Sequence, residues 1–310
     1  MSKATRNVFG ETIAKLGETD PDIVVLDADL AKSTMSCTFA KAHPDRFFEM
    51  GIQEANMIGV AAGMANMGKK PFICSFSCFV TGRFDQIRLS LAYGNANVCI
   101  VGSHAGVGIG EDGYSQQGLE DIAVMRSLPN MMVIQPADEA ECASVLEYLV
   151  KHHRGPSFIR TTRQKLADVH APGFQFVPGK SDMLRDGHDL AIFATGGTVQ
   201  GAIQAHEALK AQGISARVVN VASLKPFDSE AVVKAVVECK GHIVTAEDHQ
   251  IIGGLGSAAA EAIAESGHGA KLHRIGLNTF GESGTPEELY RHFGLDGEGI
   301  TKSILAWLGK

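Results

Sequence analysis

The sequence predicts two doubly wound α/β domains on mostly parallel sheets: residues 1–165, a linker at 166–185, and residues 186–310. Three observations lead there. Short β-rich apolar runs alternate with longer segments of helical periodicity. The runs are apolar almost throughout, instead of at every second residue. The alternation breaks once, near the middle of the chain. A strand covered on both faces reads as a continuous apolar run, so runs of this kind separated by helices point to parallel sheets between helical layers.

In the first domain the strand candidates are DIVVLDADL (22–30), KPFICSF (70–76), NVCIVGSH (97–104), MMVIQPAD (131–138) and SFIRTT (157–162). Between them QEANMIGVAAGMANMG, FDQIRLSLAYGN, GLEDIAVMRSL and DEAECASVLEYLVKHH repeat apolar residues at helical spacing. The stretch QKLADVHAPGFQFVPGKSDMLRDG then holds two prolines and three glycines without periodicity, which reads as a linker. A second alternating series follows: DLAIFATG (189–196), ARVVNVAS (216–223), HIVTAED (242–248) and KLHRIGLN (271–278). No repeat of solenoid period and no low-complexity tract interrupts it.

A chain of 310 residues, 45% hydrophobic and 20% charged, can bury two cores. Its net charge of −7 argues against a nucleic-acid or anionic-membrane partner, while leaving room for a local basic pocket that takes a phosphate. The N-terminal MSKATRNVFGETIAKLGE has no apolar core of signal-peptide length, and no apolar run approaches ~18 residues. A soluble, cytoplasmic protein is therefore expected. The six cysteines are scattered without zinc spacing and read as free, mostly buried thiols.

Four stretches could carry chemistry. GIQEANMIGVAAGMA (51–65) places Glu54 at the start of a helix whose residues are too small and apolar for a solvent-facing surface. A glutamate there complements the helix dipole, and here it can also point into an interface. SHAGVGIGEDGYSQQGLED (103–121) follows a buried-type strand, is dense in glycine, and includes His104 and Asp112. Loops leaving the C-terminal ends of parallel strands are where α/β sheets place their sites, and glycine lets backbone approach a ligand. The stretch has neither the dinucleotide fingerprint nor a P-loop ending. FSCFVTGRFDQIR (76–88) sets Phe76 and Phe79 just after a strand, as core packing or as a stacking surface. IRTTRQKLADV (159–169) ends a strand with Arg160 and Arg163, side chains suited to an anion. No nucleophile elbow and no zinc-protease helix is present.

GIQEANMIGVAAGMA, SFSCFVTGRFDQIR, SHAGVGIGEDGYSQQGLEDIA, NMMVIQPADEAE, SLKPFD and TAEDHQIIGGLGSAAAEAIAE occur in that order over essentially the whole chain. Together they resemble the pyrimidine-binding and C-terminal domains of transketolase, in particular the C-terminal subunits of transketolases made as two chains. The resemblance implies transfer of a two-carbon ketol unit from a ketose or ketose phosphate to an aldose, with thiamine diphosphate as cofactor. Glu54 matches the glutamate that hydrogen-bonds N1′ of the aminopyrimidine, Phe76 and Phe79 match its aromatic pocket, and Asp29 matches an aspartate near the thiazolium side. His104 and Asp112 match groups that face the ketose. Arg6, Ser33 and Arg163 match a cluster that grips the sugar phosphate. Gln116 stands where many microbial relatives have a histidine, and Gly82 where several have a tyrosine.

The family holds its Mg²⁺ or Ca²⁺ and the diphosphate with a Gly-Asp-Gly motif and a later asparagine. The EDG, RDG and LDG triplets here lack that context, so no metal ligand is assigned to this chain. The resemblance thus implies a partner, an N-terminal subunit carrying the diphosphate-binding half, in an α₂β₂ assembly. The pentose phosphate pathway or a dedicated sugar catabolic route would both suit such a pair. The alternatives are a β subunit of a 2-oxo-acid dehydrogenase, a relative of deoxyxylulose-phosphate synthase, and a non-catalytic partner-binding homologue.

Overall fold

The computed structural model describes residues 3–310. Among the described residues lie two sheets. The strands of the first half are β1 (Ile23–Asp27), β2 (Phe47–Glu49), β3 (Lys70–Phe76), β4 (Cys99–Ser103), β5 (Met132–Ile134) and β6 (Ser157–Arg160). Those of the second half are β7 (Asp182–Arg185), β8 (Leu190–Ala194), β9 (Ala216–Asn220), β10 (Ser223–Lys225), β11 (His242–Gln250) and β12 (Lys271–Leu277). A seven-stranded sheet runs β10-β5-β6-β4-β3-β1-β2 and a five-stranded sheet runs β12-β11-β8-β9-β7. Every pairing is parallel except β10 with β5 and β7 with β9.

The apolar runs become strands for the reason the sequence suggests. All five residues of β1, β4 and β8 are buried, because helices cover both faces of each sheet. Helices Glu54–Asn66, Glu139–Lys151, Thr198–Lys210 and Leu255–Ser266 provide much of that cover. Asp138 caps the second of these by accepting the Glu141 N–H at 2.9 Å. Gly102 in β4 has no room for a side chain, since a Cβ there would lie 2.5 Å from Cε2 of Phe158 on the neighbouring strand.

Two short strands depart from the simple reading of alternating halves. The segment that reads as a linker contains β7, which pairs antiparallel with β9. Its Met183 and Arg185 are exposed and its other two residues half-buried, so it shows no continuous apolar run. Strand β10 comes from the second half yet completes the first sheet, pairing with β5. The halves are further joined by a hydrophobic cluster that includes Ile100 and Phe158 from the first sheet and Phe193 and Ile243 from the second. All six cysteines are free, with Cys74, Cys99, Cys142 and Cys239 buried. Among the described residues no helix is long and apolar enough to cross a membrane.

Arg160, 1% exposed at the end of β6, ties these layers together. Its Nε donates to Asp121 Oδ2 at 2.8 Å, and its Nη2 donates to the backbone carbonyls of Gly118 and Asp248, both at 2.8 Å. Asp121 is fully buried and also accepts from Ser77 Oγ. Arg160→Met keeps the bulk but leaves Asp121 buried without its cation, which should destabilise the fold by about 3–5 kcal/mol. The urea unfolding midpoint should fall accordingly, and a midpoint within error of the parent would show that the pair does not hold the layers.

Candidate functional site

Four strands adjacent in the first sheet, β6, β4, β3 and β1, deliver candidate residues at their C-terminal ends: Arg163 follows β6, His104 follows β4, Phe76 ends β3 and Asp29 follows β1. This edge is where a parallel sheet leaves backbone groups and loops free to meet a ligand.

The centre of the group is an aromatic stack. The Phe76 ring lies parallel to Phe79, with centroids 5.6 Å apart, and to the His104 ring at 4.0 Å. Phe76 and His104 are buried while Phe79 is half-buried, so the stack presents one partly open face. His104 reaches this position with φ of +57°, in a left-handed conformation that costs an L-residue about 1–2 kcal/mol. Arg6 Nη1 lies 2.9 Å from His104 Nε2, and Ser103 Oγ lies 2.8 Å from Nδ1. A guanidinium can only donate, so Nε2 is the acceptor and the ring proton resides on Nδ1. Burial, followed by the positive charges of Arg6 and Arg163, pushes the imidazole down to about 3. It is a neutral ring of fixed tautomer.

Arg6 Nη1 also donates to the Ser33 carbonyl at 2.9 Å, which brings Ser33 into the group through its backbone. Arg6 Nε is buried with no partner, and burial together with the neighbouring Arg163 charge lowers its affinity for a proton. Two guanidiniums that repel each other, one with an unused donor, make a place suited to an anion. Arg163 Nη1 donates to the Ile109 carbonyl at 2.7 Å and lies 3.4 Å from Asp112 Oδ1 and 3.6 Å from Glu111 Oε2. The glycine-rich loop therefore brings Asp112 beside Arg163. Gln116, on the same loop, is half-buried, and its carbonyl accepts from the Cys78 thiol at 3.2 Å.

Glu54 opens helix Glu54–Asn66, is 4% exposed, and accepts from Ser75 Oγ at 3.0 Å. Ser75 directly precedes Phe76 in β3, so the hydrogen bond ties the start of this helix to the C-terminal end of the strand that carries the stack. The outer face of the same helix exposes Asn56, Gly59, Gly63 and Asn66, small side chains against which another helix could pack closely. Gly82, beyond Phe79, is exposed. Asp29 is exposed at φ of +64°, with its N–H bonded to Glu49 Oε1 at 2.7 Å.

Two functional neighbours escaped the sequence reading. Asp27 at the end of β1 is fully buried, accepts from the Leu30 N–H at 2.6 Å, from Thr34 Oγ1 at 2.7 Å and from Ser36 Oγ at 2.8 Å, and so shapes the turn carrying Asp29 and Ser33. Burial pushes its carboxyl up to about 6. The only sequence signal was an aspartate ending an apolar run, which resembles any strand-end turn. The second is Asp248, the last residue of the strand candidate HIVTAED: its carboxylate binds the glycine-rich loop from the other domain.

Among the described residues, Glu141, His170 and Asp182 place three possible metal donors within 4.8 Å of one another. They lie beyond β5, and the neighbouring carboxylates are already occupied. Asp138 Oδ2 accepts from the Val169 and His170 N–H groups and from the His170 ring, and Glu141 accepts from the Ala137 N–H and Asn220 Nδ2. That cluster joins the two halves of the chain.

Residues 1–168 match the pyrimidine binding domain of transketolase, and residues 179–300 match the transketolase C-terminal domain. A protein from Methanocaldococcus jannaschii described as a transketolase C-terminal section is 46% identical over 312 residues, covering 99% of this chain and 97% of that protein. An apulose-4-phosphate transketolase subunit from Phocaeicola vulgatus is 38% identical over 310 residues, covering 99% and 98%. A solved structure described as a split gene transketolase, inactive β4 tetramer, superposes with a TM-score of 0.89 at 41% identity, covering 99% and 98%. Fold and these matches agree on one class: the chain belongs to the transketolase family of thiamine-diphosphate enzymes. Within it, the chain groups with the C-terminal halves of transketolases divided between two genes.

The neutral state of His104 can be tested directly. In the unfolded chain the ring takes up a proton near 6.5, whereas in the folded chain it resists protonation down to about 3. The unfolded state thus binds more protons between these values, and His104 contributes a progressive loss of stability as pH falls from about 6.5 toward 3. Nitrogen-15 spectra at pH 5 should include the signal of a neutral His104 ring with its proton on Nδ1, assigned by its loss in His104→Gln; a charged His104 ring at pH 5 would contradict the Arg6 contact.

Proposed function

We propose that this chain is the aminopyrimidine-binding half of a two-chain transketolase, which moves a two-carbon ketol unit from a phosphorylated ketose to an aldose. The observation that carries this reading is a buried carboxylate, Glu54, bonded to Ser75 in the same strand end that carries a half-open aromatic stack at the edge of a parallel sheet. A flat aromatic surface and a carboxylate that can share a proton with a ring nitrogen are what an aminopyrimidine requires, so the residues present fit the cofactor. When bound, thiamine diphosphate supplies the electron-accepting ring on which the carbon–carbon bond is broken and remade.

In this reading Glu54 holds a proton against the pyrimidine nitrogen, and Phe76 and Phe79 fix the plane of the ring. Asp29 would lie near the thiazolium side of the cofactor. His104, with its proton on Nδ1, keeps its Nε2 lone pair toward Arg6 and the substrate channel, and Asp112 and Gln116 read donor hydroxyls. Arg6, Ser33 and Arg163 bind the phosphate, and binding energy gathered there orients the distant reacting carbon. The metal and the diphosphate fall to an N-terminal partner subunit. The exposed small-residue face of helix Glu54–Asn66 suits that contact, and an α₂β₂ assembly would bring the halves together. The related split-gene protein described as an inactive β4 tetramer is what a half-site chain assembled only with itself would give.

The test is reconstitution with the subunit that co-purifies from native cells, assayed with thiamine diphosphate, Mg²⁺ and xylulose 5-phosphate. Glu54→Ala should lower kcat at least about 100-fold. Arg163→Ala should raise KM for the phosphorylated donor by about tenfold while leaving an unphosphorylated ketose unaffected. Full turnover by this chain alone, or turnover of pyruvate in place of a ketose, would overturn the reading, and an unchanged KM in the Arg163 variant would remove the phosphate assignment.

A further inference from the structure

The C-terminal domain contributes no residue to the aromatic stack, yet it holds both loops that flank Arg163. Asp248 at the end of β11 is 2% exposed. Its Oδ1 accepts the Val107 N–H at 2.8 Å, and its Oδ2 accepts the Gly108 N–H at 3.3 Å and the Tyr290 hydroxyl at 3.0 Å. Tyr290, buried on the short helix Pro286–His292, in turn accepts from Gln164 Nε2 at 2.7 Å. Gln164 directly follows Arg163, whose guanidinium donates to the Ile109 carbonyl at 2.7 Å. The bonds close into a ring: Gly108, Asp248, Tyr290, Gln164, Arg163, Ile109.

The fit around this ring leaves no slack. Gly106, at φ of +77°, sits so close that a Cβ would lie 2.1 Å from Asp248 Oδ2. A Cβ on Gly108 would meet Gln164 at 2.5 Å, and one on Gly197 would meet the Tyr290 hydroxyl at 2.3 Å. The loop is pinned again further along, where Ser283 Oγ donates to the Glu111 carbonyl at 2.6 Å and Gln117 Nε2 to the Glu282 carbonyl at 2.8 Å. Arg160 Nη2 joins the two ends of the arrangement by binding the carbonyls of Gly118 and Asp248. The loop glycines of 106–110 therefore do not make the segment mobile; they let the second domain press directly on its backbone.

We propose that Asp248 and Tyr290 are positioning residues of the reaction, a clamp by which the C-terminal domain sets the Arg163 guanidinium against Asp112. The clamp rests on the function proposed above, because it assigns the consequence to the phosphate-binding group. It acts through backbone and Gln164, touching neither cofactor nor substrate. Tyr290→Phe removes the shared hydroxyl while keeping the ring, so it severs the ring of bonds at the least cost to packing. Asp248→Asn is the second variant: it replaces one of the two acceptors with a donor.

Two readouts test it. In the chain by itself, hydrogen–deuterium exchange of Tyr290→Phe should accelerate in peptides spanning 104–118 and 160–166, with β8 and β9 unchanged. In the reconstituted enzyme, either variant should raise KM for xylulose 5-phosphate by about fivefold, the loss of one hydrogen bond's worth of positioning, with kcat within about twofold and the KM of an unphosphorylated ketose unchanged. Unaltered exchange in 104–118, or acceleration shared equally by β8 and β9, would overturn the clamp, as would equal rises in KM for both donors. Absence of ketol transfer in the reconstituted parent would instead overturn the proposed function, and the exchange data would still decide whether Asp248 and Tyr290 hold the loop.

Discussion

The structure depends most on one buried cation. Arg160 is the largest fully buried side chain in the fold, and its partners come from three separate places: Asp121 on the helix after the glycine-rich loop, Gly118 within the loop, and Asp248 on the second sheet. Taking an arginine and an aspartate out of water is expensive, and their mutual attraction offsets little more than that expense. Its Nη1, moreover, has no partner. Such an arrangement adds little stability beyond what apolar packing would give. What it supplies is a unique relation among loop, sheet and second domain, because any slippage would strand a charge in the interior.

That relation decides what the site can be. Residues at the ends of four neighbouring strands converge because a parallel sheet delivers all its C-terminal ends to one edge. The loop among them is held from outside the first domain, by carboxylate and hydroxyl groups on the second. The His104 ring is fixed in the same way: stacking on Phe76, a donor at Nε2 and an acceptor at Nδ1 leave it one orientation and one tautomer. On the exposed side, helix Glu54–Asn66 turns outward a face of small residues, Asn56, Gly59, Gly63 and Asn66, while its first residue, Glu54, is buried.

Much of the fold was legible because it rests on burial. Runs such as DIVVLDADL and NVCIVGSH are apolar at consecutive positions, and only a strand with both faces covered needs that. Strand β7 was not legible, since its partly exposed residues mix a charge at each end with two apolar side chains, a pattern shared with ordinary loops. Strand β10 was hidden for another reason: three residues cannot announce that they will join the sheet of the other domain. Among the candidate residues, Glu54, Phe76, Phe79 and His104 stood out through resemblance to a family, while composition and spacing alone left each of them with an ordinary packing explanation. Asp27 and Asp248 were passed over because a carboxylate's importance here lies in which backbone N–H groups it meets, and a linear reading does not show those meetings.

By itself, then, the sequence determined the class of fold, the order of its layers and the family to which the chain belongs, because apolar periodicity and motif order are properties of the chain read in one dimension. Tertiary structure alone decided the tautomer of His104, the pairing of Arg163 with Asp112, and the hold of Asp248 and Tyr290 on a loop far earlier in the chain. Those features depend on directional hydrogen bonds between groups remote in sequence, and burial decides their strength only once both domains have closed around them.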